Sequence, residues 1–197
     1  MTGMTTAEYW DAQAATFDDE PDHGLTDPAV RQAWAELLLP RLPAAASVAD
    51  LGCGTGTLAV LLAEAGHRVS GVDVAPRMIA AAVGKAADRR VAARFVVGDA
   101  AAPPWTPASF DVVLGRHVLW ALPDPGEALR QWVQLLRPGG LLLLVEGSWS
   151  TGAGLTAAET LALVLRHRGQ ATVEPLDDRA LWGGPITDER YLVVSRG

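Results

Sequence analysis

From Val48 onward, short runs rich in β-branched residues and leucine alternate with stretches of helical periodicity. The strand-like runs are SVADL, RVSGVDV, RFVVGDA, FDVVLG, LLLLVEG, ATVEPL and RYLVVSR. The helical ones are TLAVLLAEAG, PRMIAAAVGKAA, DPGEALRQWVQLLRPGG and TAAETLALVLRHRG. Such alternation predicts an α/β fold, a mostly parallel sheet with helices on both faces, because parallel neighbours must be joined by a crossover long enough to hold a helix. The boundary residues agree. Asp124 and Pro125 predict a helix cap and first turn, with Glu127 as the acid of a capping box. Thr156 and Glu159 repeat that pattern before the last helix, and Gly66, Gly139 and Gly169 stand where helices should stop.

Residues 1–45 differ. TAEYWDAQAATFDDEPDHGL is aromatic, acidic and weakly periodic. It leads into an amphipathic helix that opens at Pro28 and carries Val30, Trp34, Leu37 and Leu38 on one face. This part reads as a cover on the sheet rather than a domain of its own, since 197 residues make one domain of ordinary size. A net charge of −7 without a cluster of Lys and Arg argues against nucleic acid as a partner and leaves a small molecule as the default. No apolar run is long enough to span a bilayer, and the N-terminus reads as no secretory signal, so no membrane partner and a cytoplasmic location are expected. Cys53 is the only cysteine, which excludes an internal disulfide and a cysteine-rich zinc site; no metal is expected.

Between SVADL and TLAVLLAEAG, the stretch DLGCGTG puts Gly52, Gly54 and Gly56 in a turn at the carboxyl edge of the sheet, where open parallel sheets bind ligands. Without Cβ atoms the turn can be sharp and a ligand can approach its main chain. The spacing G-x-G-x-G is narrower than the dinucleotide pattern G-x-G-x-x-G, and no lysine follows as in a triphosphate loop. A ligand without a pyrophosphate suits it better. The next strand ends in GVD, placing Asp73 where a carboxylate can accept both hydroxyls of a ribose. The third ends in GDA, where Asp99 could take an exocyclic amine and the Ala100 amide a ring nitrogen. Each acid alone is as readily a strand-end cap; the ordered set of three is the signal.

With VADLGCGTG, GVDVAPRMI, VVGDAAAPPW, FDVVLGRHVLWALPDP and LLRPGGLLLLVEG in this order and spacing, the chain resembles the class I S-adenosylmethionine-dependent methyltransferases. The resemblance implies a Rossmann-like seven-stranded sheet whose last strand, DERYLVVSR, is antiparallel. It also implies a cofactor-binding half over 46–146 and a C-terminal half over 147–197. It places Asp50 and Gly52 at the methionine moiety, Asp73 at the ribose, Met78 against the adenine and Asp99 at its amine, with Val74 and Gly115 in the same cofactor site. The N-terminal segment would fold over the cofactor, bringing Tyr9 or Trp10 near a sulfonium whose charge an aromatic face stabilises. Trp105 would border the adenine.

The implied reaction moves a methyl group from S-adenosylmethionine to an oxygen or nitrogen of a small metabolite, leaving S-adenosylhomocysteine. The segment GRHVLWALPDP is where donor and acceptor meet in the family, which makes Arg116, His117 and Trp120 acceptor-site candidates. His117 is the histidine best placed as general base, or else it orders its loop. His23 could reach the acceptor from the cover, and Trp149 would help close a site whose last insert, GSWSTGAGLT, is short. A homodimer could complete it instead. Two other readings stand beside this one: a protein that uses the sulfonium for chemistry other than methyl transfer, and a nicotinamide-dependent oxidoreductase, which should carry the wider glycine spacing.

Overall fold

The computed structural model describes residues 4–197. Seven strands form one sheet: β1 (Ser47–Leu51), β2 (Arg68–Asp73), β3 (Ala93–Val97), β4 (Phe110–Arg116), β5 (Leu136–Ser148), β6 (Thr172–Pro175) and β7 (Glu189–Arg196). Their spatial order is β3-β2-β1-β4-β5-β7-β6. The first five pair in parallel, and β7 runs antiparallel to both β5 and β6. The order reverses direction between β1 and β4, and that switch point opens a crevice at the carboxyl ends of the strands.

The helices are α1 (Thr6–Gln13), α2 (Pro21–Gly24), α3 (Pro28–Leu38), α4 (Thr57–Glu64), α5 (Pro76–Arg89), α6 (Pro125–Leu135) and α7 (Ala157–Leu165). Successive sheet residues point to opposite faces. Val48, Val112, Leu114 and Leu143 therefore pack under α3 and α4, while Ala49, Leu51, Val113 and Leu144 pack under α6 and α7. Within α3, Val30, Trp34 and Leu38 are buried and Leu37 lies at the margin of that face. The Trp34 indole donates to the carbonyl of Leu181 (2.8 Å), which anchors the cover across the far end of the sheet. Arg31 of α3 pairs with Glu64 at the end of α4 rather than reaching the crevice.

Asp124 caps α6 through the amide of Glu127 (2.9 Å), but Glu127 does not close a capping box: its carboxylate is held by Arg130 at 2.6 and 2.7 Å. The box at Thr156 and Glu159 is complete. Gly66 stops α4 with φ +89°. Gly139 instead takes φ +76° inside β5, in the irregular stretch where pairing with β4 shifts between Phe110 and Val112. Gly169 caps nothing, because α7 ends at Arg166 in right-handed geometry. Among the described residues, no helix is long and apolar enough to cross a membrane.

Candidate active site

The ends of β1, β2 and β4, the loop after β3 and the N-terminal cover enclose a cavity of about 570 Å³, within the range of small-molecule sites. One wall is the glycine loop. The Cys53 amide donates to the Val72 carbonyl (3.0 Å), and the Gly54 amide to Asp73 Oδ2 (2.9 Å). Asp73 Oδ1 accepts from the Ala75 amide (2.9 Å). A carboxylate has about four lone-pair sites, so Asp73 pins the loop and the start of α5 while keeping acceptor capacity toward the cavity. Gly54 takes φ +53°, which favours glycine, and a Cβ there would only reach ordinary contact, 3.4 Å, with the Phe17 ring. Cys53 is a filler, since burial beside Asp50 and Asp73 pushes its thiol well above the ordinary range.

Asp50, at the end of β1, is 3% exposed, and its Oδ2 has no partner. Burial raises its pKa to about 7, with the Arg116 guanidinium acting against that rise. Val74, Met78, Asp99 and Ala100 line the same wall. Asp99 shapes its loop by accepting the Ala101 amide (2.8 Å), and the Trp132 indole fixes the Ala100 carbonyl (2.7 Å). Trp132 is thus core, as its helical spacing suggests.

The opposite wall begins where β4 ends. Arg116 is partly buried, donates to the Asp22 carbonyl and lies 5.2 Å over the Trp34 ring. His117 follows in left-handed geometry (φ +55°), held by its amide on the Val145 carbonyl (2.8 Å). The turn after it is built on Glu146, whose Oε1 accepts the amides of Val118 (3.0 Å) and Leu119 (2.8 Å); burial pushes this carboxyl up to about 8. His117 stands edge-on to Trp149 (5.3 Å) and parallel to Trp182 (5.9 Å), and its Nε2 has no partner. Burial, then the charges of Arg116 and Arg190, holds its pKa well below the usual value. It is a neutral imidazole at physiological pH.

The cover supplies the roof. Phe17 sits over Gly54, His23 stacks on Phe17 (4.2 Å, 13°) and places Nδ1 3.2 Å from the Phe17 carbonyl, and Trp10 meets Phe17 edge-on at 6.3 Å. Asp18 fastens this segment through Lys85 of α5 (2.8 Å) and the Thr55 hydroxyl (2.5 Å). Trp10, His23, Trp120 and Trp149 all line the cavity.

Four expected neighbours of the ligand lie elsewhere. Tyr9 is 46% exposed and only props the Trp10 ring from behind. Gly56 begins α4 with φ +73°, and its missing Cβ makes room for Ala82 and Phe95 rather than for a ligand. Gly115 is closely covered by Val118, Trp132 and Leu144, so it serves packing. Trp105 packs edge-on against Phe110 at 5.1 Å and stays out of the cavity. Conversely, the sequence reading missed Arg190, Glu146 and Lys85. Arg190 lies in a strand that reads only as apolar alternation. Glu146 ends an apolar run and looks like ordinary strand punctuation.

Among the described residues, Asp22, His23 and His117 bring possible metal-ligand atoms within 4.8 Å of one another. His23 is partly buried beside Asp22, with Nε2 3.8 Å from Asp22 Oδ2.

A doubly wound sheet with an antiparallel β7, a glycine loop after β1 and acids at the ends of the next two strands defines the class I methyltransferase architecture. Residues 49–144 match the family model described as a methyltransferase domain, and the chain is similar to class I, S-adenosylmethionine-dependent methyltransferases. It is 32% identical to 27-O-demethylrifamycin SV methyltransferase of Amycolatopsis mediterranei, over 85% of this chain and 65% of that protein. It is 33% identical to a ubiquinone biosynthesis O-methyltransferase of Xanthomonas campestris, over 79% of this chain and 61% of the relative. The chain thus spans less than two thirds of the length of these relatives. In fold it is similar to the 4+2 cyclase SpnF, with a TM-score of 0.71, 20% identity, and coverage of 85% of this chain and 79% of that one.

Proposed function

We propose that the protein transfers a methyl group from S-adenosylmethionine to an oxygen of a small molecule, in the cytoplasm. One observation carries the reading: Asp50, Asp73 and Asp99, spaced along successive strand ends, face a single cavity roofed by aromatic rings. The names of both sequence relatives, methyltransferases of small molecules, point the same way.

S-adenosylmethionine fits these residues. Asp50 carries a buried oxygen that lacks a partner, which the positive charges of the methionine end would satisfy. Gly54 lines the cavity without a side chain, so a ligand can approach its main chain. When bound, the cofactor supplies an electrophilic methyl group on a positively charged sulfur. In this reading Asp73 holds the ribose, Asp99 and Ala100 read the adenine edge, and Val74 and Met78 pack on its face. Trp10 and Phe17 exclude water and present π faces to positive charge.

On the other side the chain positions the acceptor. Trp120 and Trp149 wall it, and His117 accepts the proton of its hydroxyl at Nε2. The imidazole is already neutral, as a base must be, while burial and the charges of Arg116 and Arg190 oppose the imidazolium it forms, so the acceptor's own charge must help to hold that proton. Alignment of the acceptor behind the methyl group contributes most of the rate in such a displacement. The cover and Trp149 line the cavity from this chain itself, which supports a site formed within one subunit.

The test is incubation of the protein with methyl-labelled S-adenosylmethionine and fractionated small metabolites, with titrations of S-adenosylhomocysteine and NADH alongside. Label in an organic product and binding of S-adenosylhomocysteine are expected. Binding of NADH alone would overturn the reading. Binding of S-adenosylhomocysteine with no labelled product from any fraction would favour sulfonium chemistry of another kind, a use compatible with the fold shared with a cyclase.

A further inference from the structure

Arg190 has no role in the reading above, yet it lines the acceptor end of the cavity with a side chain only 11% exposed. Its guanidinium packs in the corner between two indoles set steeply to each other, 5.0 Å from the Trp149 centroid and 5.5 Å from that of Trp182. Gly147 on the neighbouring β5 makes this lie possible, since a Cβ there would press on Nη1 at 3.0 Å. The hydrogen bonds Arg190 makes are peripheral and long: Nη1 to the Glu189 carbonyl and Nη2 to Asp188 Oδ2, both 3.3 Å. Asp188 is itself engaged by the Ser150 amide at 2.8 Å. The Nε–H of Arg190 is buried without a partner. His117 Nε2, against the same two indoles, is likewise unpartnered.

A buried donor left unsatisfied costs about 1–3 kcal/mol, more when it is charged. Arginine packed against aromatic rings retains its in-plane donors, which match the two oxygens of a carboxylate. We propose, resting on the methyl-transfer reading, that Arg190 is the carboxylate-binding residue of the acceptor subsite. The acceptor is then a planar hydroxy acid whose carboxylate takes the Nε edge of Arg190 while its ring lies along Trp149.

The grouping of Asp22, His23 and His117 offers a rival occupant, a divalent cation. Two guanidiniums decide against it: Arg116 bonds the Asp22 main chain, and Arg116 and Arg190 both press their charge on His117. Acids face the same space as well, Asp22 and Glu20 on the cover and Asp50 at the end of β1, with Asp188 beside Arg190. The two guanidiniums nevertheless act on His117 itself and oppose a dication there, while they favour an anion.

The experiment compares 4-hydroxybenzoate with 4-hydroxybenzamide as probes, by tryptophan fluorescence titration of the full chain saturated with S-adenosylhomocysteine. The acid is expected to bind at least tenfold more tightly than the amide. Arg190→Gln should bring that ratio close to one, and Arg190→Lys should restore part of it, with S-adenosylhomocysteine affinity unchanged in both. Equal binding of acid and amide, no binding of the acid, or a preference that survives Arg190→Gln would overturn the proposal. So would binding that requires added Zn²⁺ and disappears with a chelator or in Asp22→Asn. Failure of S-adenosylhomocysteine to bind the unaltered protein would instead count against the methyl-transfer reading itself.

Discussion

The buried carboxyl of Glu146 accepts the amide of Leu119 at 2.8 Å, and through this bond the last residue of an apolar strand run shapes the loop that presents His117. Glu146→Ala leaves that amide and the Val118 amide without acceptors and should destabilise the fold by ~2–4 kcal/mol. Glu146→Gln keeps a carbonyl in place and should cost far less. Urea denaturation of the three proteins at pH 7 checks the ranking, and equal losses in Ala and Gln would show that the two bonds do not hold the loop.

Glu146 and Asp50 both have folded-state pKa values raised by burial, to about 8 and about 7. The folded protein therefore binds more protons than the unfolded chain between the ordinary carboxylate range and those values. By linkage, the contribution of each group to stability declines as pH rises through that window. The free protein should unfold at a lower urea concentration at pH 8 than at pH 6, and Glu146→Gln should flatten the dependence.

Asp50→Asn separates stability from binding. It should stabilise the free protein at pH 8, because an uncompensated buried charge is removed. It should also weaken S-adenosylhomocysteine, whose ammonium it can no longer meet, by about tenfold or more. Calorimetric titration alongside thermal unfolding reads both; a variant that loses stability and keeps its affinity would remove Asp50 from the cofactor site.

Asp73→Asn turns one of two acceptor oxygens into a donor facing either the Gly54 or the Ala75 amide. Gly54→Ala adds strain at φ +53°. Each should lower S-adenosylhomocysteine affinity more than it lowers stability, with a strain cost near 1–2 kcal/mol for the alanine. The comparison of Kd with melting temperature tests this.

His117 is held neutral, so its availability as a base should not fall off near pH 6.5. The pH profile of kcat/KM should remain flat from pH 8 to below the ordinary histidine value, and His117→Asn should lower kcat by ~10²–10⁴ without altering cofactor affinity. A break near pH 6.5, or an unchanged kcat, would leave His117 as a loop-ordering residue.

The glycine-loop wall of the cavity was largely legible because its signals are local. Gly52, Gly54, Asp73 and Asp99 sit at strand ends that periodicity locates, and backbone geometry there demands glycine or a short acid. Gly56 and Gly115 show the limit of the same logic: a glycine also answers to close packing, here against Ala82 and Trp132, and a linear pattern does not distinguish a neighbour from a ligand. Tyr9 and Trp10 are adjacent in sequence, yet only Trp10 faces the cavity, since the rotation of α1 chooses between them.

The sequence by itself determined the strand and helix alternation, the switch-point loop with its three acids, and the aromatic cover, all of which rest on propensity and on periods of 2 and 3.6 residues. The tertiary structure decided the opposite end of the cavity. Arg116 from β4, Trp149 after β5, Arg190 from β7 and His23 from the cover meet there, although Arg190 and His23 lie far apart in the chain. Their convergence depends on the antiparallel return of β7 beside β5 and on two glycines, Gly147 and Gly154, that let Arg190 and Trp149 lie flat. Such long-range packing sets which donors remain buried and unpaired, and no period in the sequence records it.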